Sequence, residues 1–377
     1  MFILELARAI AVFLITFFLI LKLSKNFNVS KNRASFIFLL HTIICLIYVP
    51  ITISQQIDPY GYFKYSQIES YSFWGTGLVM NFTSIFTKYL DFGIYSCFLV
   101  FNFIGTTGLI ILESIRKKLV VNSDKIMKTL SAAVIFLPTV HLNTSAPGKD
   151  VFCFLCINLV IYSLLQPRIK FFTLITSALI FSLIRPHIGM ILMIGLVIAF
   201  LNKISLPKYY LLLIRVALPI VLFFVARQGL SILEGGYNYQ TVIGIMEYNR
   251  TVTEVGTNAV DTSSLNIPLK LFTYMFRPLF FDAGGLFPLL LSFDNLILLL
   301  TFTYPFLRKL YKLKFTTLKL NAINFFLIVY SSLSWLFFAQ STSNLGLAAR
   351  HKIMILPAIF CLSLFYSRKS KQLVYKN

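Results

Sequence analysis

The decapeptide His141-Leu-Asn-Thr-Ser145-Ala-Pro147-Gly148-Lys149-Asp150 sets a cation beside an anion at the junction of two uncharged apolar runs, Leu130–Val140 and Val151–Leu165. Either charge would cost roughly 2.5–3.5 kcal/mol inside hydrocarbon, so the decapeptide is expected at a membrane surface or in a wet cavity. Pro147-Gly148 should break the helix there and free backbone polar groups beside both charges. Three later clusters share this character. Arg185-Pro-His187 ends an apolar run, Arg277-Pro278 precedes Asp282 by five residues, and Gln340–Lys352 carries Asn344, Arg350, His351 and Lys352. Arginine suits bidentate contact with phosphate oxygens, and a histidine or carboxylate beside it can move a proton. That chemistry assigns catalytic roles to Arg185, His187, Arg277, Asp282 and Arg350. It assigns substrate contacts to His141, Ser145, Lys149, Asp150, Asn344 and His351. Asp282, Glu247 and Glu254 are the carboxylates open to the role of base, with Asp282 preferred for its place beside Arg277 and a span.

Each cluster also has a plain structural reading. Arg185 would snorkel to the interface while Pro186 starts a helix, and Lys352 would anchor its span. Lys149 and Asp150 would pair at a helix start, where the dipole favours the acid. Asp282 would simply neutralise Arg277. Arg215, within a span, would snorkel to the inner interface or pair with Asp294.

The elements that must position these residues are membrane spans. The chain has 377 residues, 58% of them apolar and only 12% charged, and a mean hydropathy of +0.80; soluble domains carry about 25% charged residues. A span needs about 20 largely apolar residues. The runs lie at 3–23, 36–53, 92–112, 130–140, 151–165, 171–184, 190–201, 209–225, 286–306, 322–338 and 353–366. The expectation is an all-α polytopic transmembrane bundle of about 11 spans (10–12), a single integral membrane domain over 1–377. Residues 54–88, rich in aromatics, read as an external interfacial segment with a short helix around Gly77–Tyr89. Residues 226–285 read as a large external, periplasmic loop. Cys153 and Cys156 form a CxxC, but all five cysteines fall in apolar runs without His or Asp neighbours, so neither a disulfide nor a metal site is expected.

The net charge of +21 is not a nucleic-acid footprint, because the basic residues fall in short loops between spans. Loops on alternate sides differ sharply. One side holds 22 Lys/Arg and two acids, the other 11 Lys/Arg and ten acids. The positive-inside rule then puts the carboxyl terminus in the cytoplasm and all four clusters on the external face. No P-loop, G-x-S-x-G, H-E-x-x-H or D-x-D motif occurs, which argues against a nucleotide-sugar transferase with a cytoplasmic metal site.

The motifs Leu137-Pro-Thr-Val-His141, Ser145…Gly148-Lys149-Asp150, Arg185-Pro186-His187, Phe276-Arg277-Pro278 and Asn344-Leu-Gly346…Arg350, with Phe101-Asn-Phe-Ile-Gly105, resemble the Wzy-type polysaccharide (O-antigen) polymerases. The resemblance covers roughly residues 90–360 as scattered short motifs. It implies a GT-C-like architecture and a metal-independent glycosyltransferase without cofactor. The substrates would be glycans linked to undecaprenyl pyrophosphate, joined at the periplasmic face of the bacterial inner membrane. It also implies a chain-length regulator (Wzz-type) as partner, besides the bilayer, and no nucleic acid. An O-antigen ligase shares the donor chemistry. A lipid-linked oligosaccharide flippase would need charges along a central path, where Arg215 and Asp294 are the only mid-span charges. A membrane O-acyltransferase would need a histidine deep in a span, for which His41 is the candidate.

Overall fold

The computed structural model describes residues 2–67, 71–201, 209, 260, 262, 265–311 and 321–368. Arg215, Glu247 and Glu254 lie outside these residues, as do the eighth apolar run beyond Tyr209 and most of the 226–285 loop. Among the described residues every regular element is helical. Among these residues seven helical stretches are long and apolar enough to cross a membrane.

The first half of the chain lays down α1 (Phe2–Asn26), α2 (Lys31–Gln55), α3 (Asp58–Tyr65) and α4 (Gly75–Ser84). A π turn at Ile85–Tyr89 follows, then α5 (Ile94–Val120), α6 (Lys125–Val134) and α7 (Pro138–Thr144). Next come α8 (Lys149–Leu164), α9 (Phe171–Ile184) and α10 (Pro186–Leu201). The last third holds α11 (Ile267–Phe276), a 3₁₀ turn at Phe280–Asp282, α12 (Leu286–Tyr311), α13 (Ala322–Ser341) and α14 (Leu345–Ser367).

Most boundaries follow local chemistry. The segment 54–88 holds α3, α4 and all but the last residue of the π turn, and it exposes Tyr65, Phe73 and Trp74. The expected fourth span is two helices, because Pro138 starts a new one after the Ile135–Leu137 break. Residues 267–276, read as part of a polar loop, form an apolar helix that buries Tyr274, Met275 and Phe276 against α13. The last helix begins eight residues before the expected 353, because Asn344 caps it: its side-chain oxygen accepts from the Gly346 and Leu347 N–H groups. Arg350, His351 and Lys352 therefore stand inside α14 rather than ahead of it.

α5 is the central helix, buried along most of its length and packed against α1, α2 and α8. Its glycines set the closest approaches. A Cβ on Gly105 would run into the carbonyl oxygen of Thr144 in α7, and one on Gly108 would meet the Phe154 ring of α8. The opposite extreme is α1, whose Ile3, Leu6, Ile10 and Phe18 are exposed as a lipid-facing surface should be.

The contacts sort the bundle's two ends. At one end, Lys117 donates to the Asn28 carbonyl and Lys118 to Gln166, both at 3.0 Å. Arg308 pairs with Asp124 at 2.6 Å, and Arg368 donates to the Leu119 and Lys118 carbonyls. This end gathers the turns after α1, α5 and α8 with the carboxyl ends of α12 and α14, and it is the basic end. At the other end, Glu5 accepts from Gly93 and Ser96, and Arg8 pairs with Asp91 at 2.8 Å. The junctions α2/α3, α7/α8, α9/α10 and α13/α14 meet there.

Candidate functional site

Four helix breaks build the site, and each has a reason in the sequence. Gln56 adopts a left-handed conformation after α2, and Pro59 then starts α3. Pro147 and Gly148 separate α7 from α8. Arg185 leaves helical geometry before Pro186, and Gly189 closes tightly on Ser182. Asn344 caps α14. The long helices α8, α10, α12 and α14 all begin at this end, so their positive dipole ends face it together, a setting that favours anions.

The breaks bring charges from distant positions into one chain of ion pairs. Arg185 Nη2 donates to Asp150 Oδ1 at 2.8 Å, and Arg350 Nε donates to Asp150 Oδ2. Arg350 Nη1 donates to Asp58 Oδ2. Asp150 is only 3% exposed, whereas the Asp58 side chain is 66% exposed. Burial alone would raise the Asp150 carboxyl, but Arg350 and Arg185 outweigh it and hold it well below the ordinary carboxylate range. Asp150 is thus a fixed anion whose two oxygens set the guanidinium orientations. Two buried polar atoms of the cluster, Arg185 Nε and His351 Nδ1, have no hydrogen-bond partner among the described residues.

Two adjoining cavities open on this chain. The larger, about 750 Å³, is lined by Tyr48, Asp58, Asn143, Asp150, Asn344 and Arg350, among others. The smaller, about 400 Å³, is lined by Tyr62, Thr76, Lys149, Arg185, Arg350 and His351, with Asp58 again in its wall. Both lie in the size range of ligand sites, about 300–1,000 Å³. Lys149 donates to Thr76 at 3.1 Å. Burial, and then the charge of Arg185, lowers its ammonium to about 8.

That value has a measurable consequence with two opposite signs. Between about pH 8 and the ordinary lysine range, the unfolded chain holds a proton that folded Lys149 has lost, so the ligand-free protein should gain stability as pH rises. Affinity for an anion in the smaller cavity should fall over the same rise, because the cation is lost. Titrating a pyrophosphate diester, whose own charge is constant from pH 6.5 to 9.5, should show weaker binding at the alkaline end. Lys149→Gln should bind weakly at both ends with little pH dependence; a wild-type-like fall in Lys149→Gln would remove Lys149 from the site.

Of the residues singled out from sequence, Asp150, Asn344 and Arg350 line the larger cavity, and Lys149, Arg185, Arg350 and His351 the smaller. The others stand elsewhere. His141 is fully buried, with its Nδ1 2.9 Å from Nδ1 of His41 and its Nε2 on the Ile135 carbonyl. Ser145 is buried too, bonded to the Leu142 carbonyl, while its own carbonyl accepts from Cys45. The His187 ring stacks on Phe337 at 5.4 Å and lines neither cavity. Arg277 and Asp282 form a bidentate pair, both bonds 2.9 Å, at the α11/α12 connection. The hydrogen bond from Arg277, set against partial burial, holds the Asp282 carboxyl below its ordinary range, and Asp282 also accepts from the Leu279 N–H. Its plain reading, a partner for Arg277, is the one the geometry displays. Lys352 is no interface anchor: it is 4% exposed and donates to Asn295 at 2.8 Å. Asp294, considered as a partner for Arg215, accepts at 2.8 Å from the Thr139 N–H and also from its hydroxyl. All five cysteines are buried and free.

Sequence reasoning missed Asp58, Tyr48 and Tyr62. One signal was available for Asp58: an acid followed by proline, directly after a span, on the side where the clusters fall. The tyrosines carry no such mark in an aromatic-rich chain.

The fold and site define a multi-pass, all-helical membrane protein whose ion-pair chain, centred on the buried Asp150, lies beside a cavity at one end of its bundle. Comparisons with protein-family models, with curated proteins and with solved structures gave no match.

Proposed function

We propose that this protein transfers a glycan from an undecaprenyl-pyrophosphate carrier to the terminal sugar hydroxyl of a second lipid-linked repeat unit, as a polysaccharide polymerase of the Wzy type. About eleven spans, a GT-C-like architecture and a periplasmic active face of the bacterial inner membrane belong to this reading. The observation that carries it is the meeting of Arg185 and Arg350, oriented by one buried carboxylate, at a cavity beside Lys149 and the amino ends of several helices. Pyrophosphate is already a good leaving group. The protein's main task is to balance the negative charge that grows as the glycosidic bond breaks, and guanidiniums do this with two parallel hydrogen bonds each. The cavity lies opposite the basic end of the bundle, and the positive-inside rule makes that basic end cytoplasmic.

A ligase would use the same donor site. A flippase would need a charged path through the bundle. Among the described residues, the interior charges Asp294 and Lys352 are tied to Thr139 and Asn295 as struts between helices, which favours a transferase. Surface glycan from a strain deleted for this chain separates the three. A polymerase deletion should leave single repeat units on the surface. Complete loss of capped glycan would indicate a ligase, and repeat units retained on the cytoplasmic side would indicate a flippase.

A further inference from the structure

The two cavities share a wall of four residues, Ile57, Asp58, Leu347 and Arg350, and the chemistry on its two sides differs. The smaller cavity presents Lys149, Arg185, Arg350 and His351, and two buried atoms of these side chains, Arg185 Nε and His351 Nδ1, lack partners among the described residues. The larger presents Tyr48, Asn143 and Asn344, neutral groups suited to sugar hydroxyls, together with the two carboxylates Asp58 and Asp150. A pyrophosphate belongs on the first side and an acceptor sugar on the second. Of the two carboxylates, Asp150 is committed, with each oxygen held by an arginine. Asp58 is not. Among the described residues its ion pair is with Arg350 through one oxygen, its side chain is largely exposed, and it alone among the four wall residues can take up a proton.

We infer that Asp58 is the catalytic base of the transfer and that Arg350 links it to the donor, an inference that rests on the lipid-pyrophosphate reading. Without substrate, Arg350 bridges Asp150 and Asp58. Phosphate oxygens entering the smaller cavity compete for that guanidinium and release Asp58 toward the larger one. The acceptor hydroxyl oxygen then attacks the anomeric carbon, and its proton passes to the Asp58 carboxylate. The bond from the anomeric carbon to the phosphate oxygen breaks, and its electron pair leaves with the pyrophosphate. Donor binding thereby frees the base, so an empty donor site leaves it paired with Arg350.

Purified protein in nanodiscs, supplied with a synthetic polyprenyl-pyrophosphate-linked repeat unit, tests this. Asp58→Asn should lower kcat by about 10²–10⁴-fold, the worth of a single general base, with donor KM unchanged or lower because the competitor for Arg350 is gone. Asp58→Ala should be equally slow, and added formate should restore part of its turnover by standing in for the carboxylate. Near-normal kcat in Asp58→Asn, or a loss confined to donor KM, would overturn the assignment and leave Asp58 a counterion. Should Asp58→Asn fail to fold, Asp58→Ala decides: rescue by formate supports the base, and its absence refutes it. Arg350→Ala keeps the two levels apart. If that variant binds donor and turns over normally, the pyrophosphate reading itself fails, whatever Asp58 does.

Discussion

Replacing Arg185 or Arg350 with alanine should lower glycan transfer by at least about 10²–10³-fold, the loss typical of removing one preorganised donor to a developing oxyanion. The loss should appear in kcat as well as in donor affinity, because the guanidinium opposes pyrophosphate charge in both the ground and transition states. Lysine should rescue poorly at either position. Each arginine already spends one donor on Asp150 and must offer others to the ligand, which a fork of five N–H groups allows and an ammonium on a flexible stem does not. The measurement is turnover of lipid-linked repeat units by purified variants, with membrane insertion and melting temperature recorded for each. Full activity in both lysine variants would reduce these residues to structural charges.

Asp150→Asn should be the most destabilising single change in the cluster, costing about 3–5 kcal/mol, as removal of one partner from a buried ion pair does. The reason is geometric. Asp150 is the buried anion between Arg185 and Arg350, and without it the two guanidiniums face each other with only the exposed Asp58 as compensation. Asp58→Asn should barely move the melting temperature, since exposed ion pairs contribute little. The two acids therefore separate by assay: loss of Asp150 lowers stability and activity together, while loss of Asp58 spares the fold. Thermal unfolding of both variants in the same detergent checks this, and equal melting temperatures would mean that Asp150 does not hold the arginines in place.

How much of this was legible in the sequence depended on whether the signal was local. The apolar helix 171–184 was readable to the residue, because hydropathy, a flanking lysine and the following Arg-Pro are all local features. The sorting of loops into two groups was readable as well. Alternating basic content is a property of composition, and the contacts of Lys117, Lys118, Arg308 and Arg368 place those loops at one end. Breaks at Pro147-Gly148 and Arg185-Pro186 followed from backbone chemistry, whereas the cap at Asn344 started the last helix ahead of the expected 353.

Which residues share the site was decided only by the tertiary structure. Helices α8, α9 and α10 are apolar nearly all round, so their sequences do not say which face turns inward, and the rotation of a helix about its axis decides what its terminal residues meet. Packing against α5 and α14 turns Asp150 toward Arg185, 35 residues away, and Arg350, 200 residues away. The same packing carries His141 inward onto His41, because Gly105 lets α7 approach α5 closely. Arg277 and Asp282, five residues apart on one connection, satisfied each other locally. Asp58 reached the site from the far end of the sequence, since the turn after α2 lies against the α13/α14 junction. Composition and backbone chemistry determined which segments form apolar helices and where most of them break; side-chain packing between helices far apart in sequence decided which charges meet.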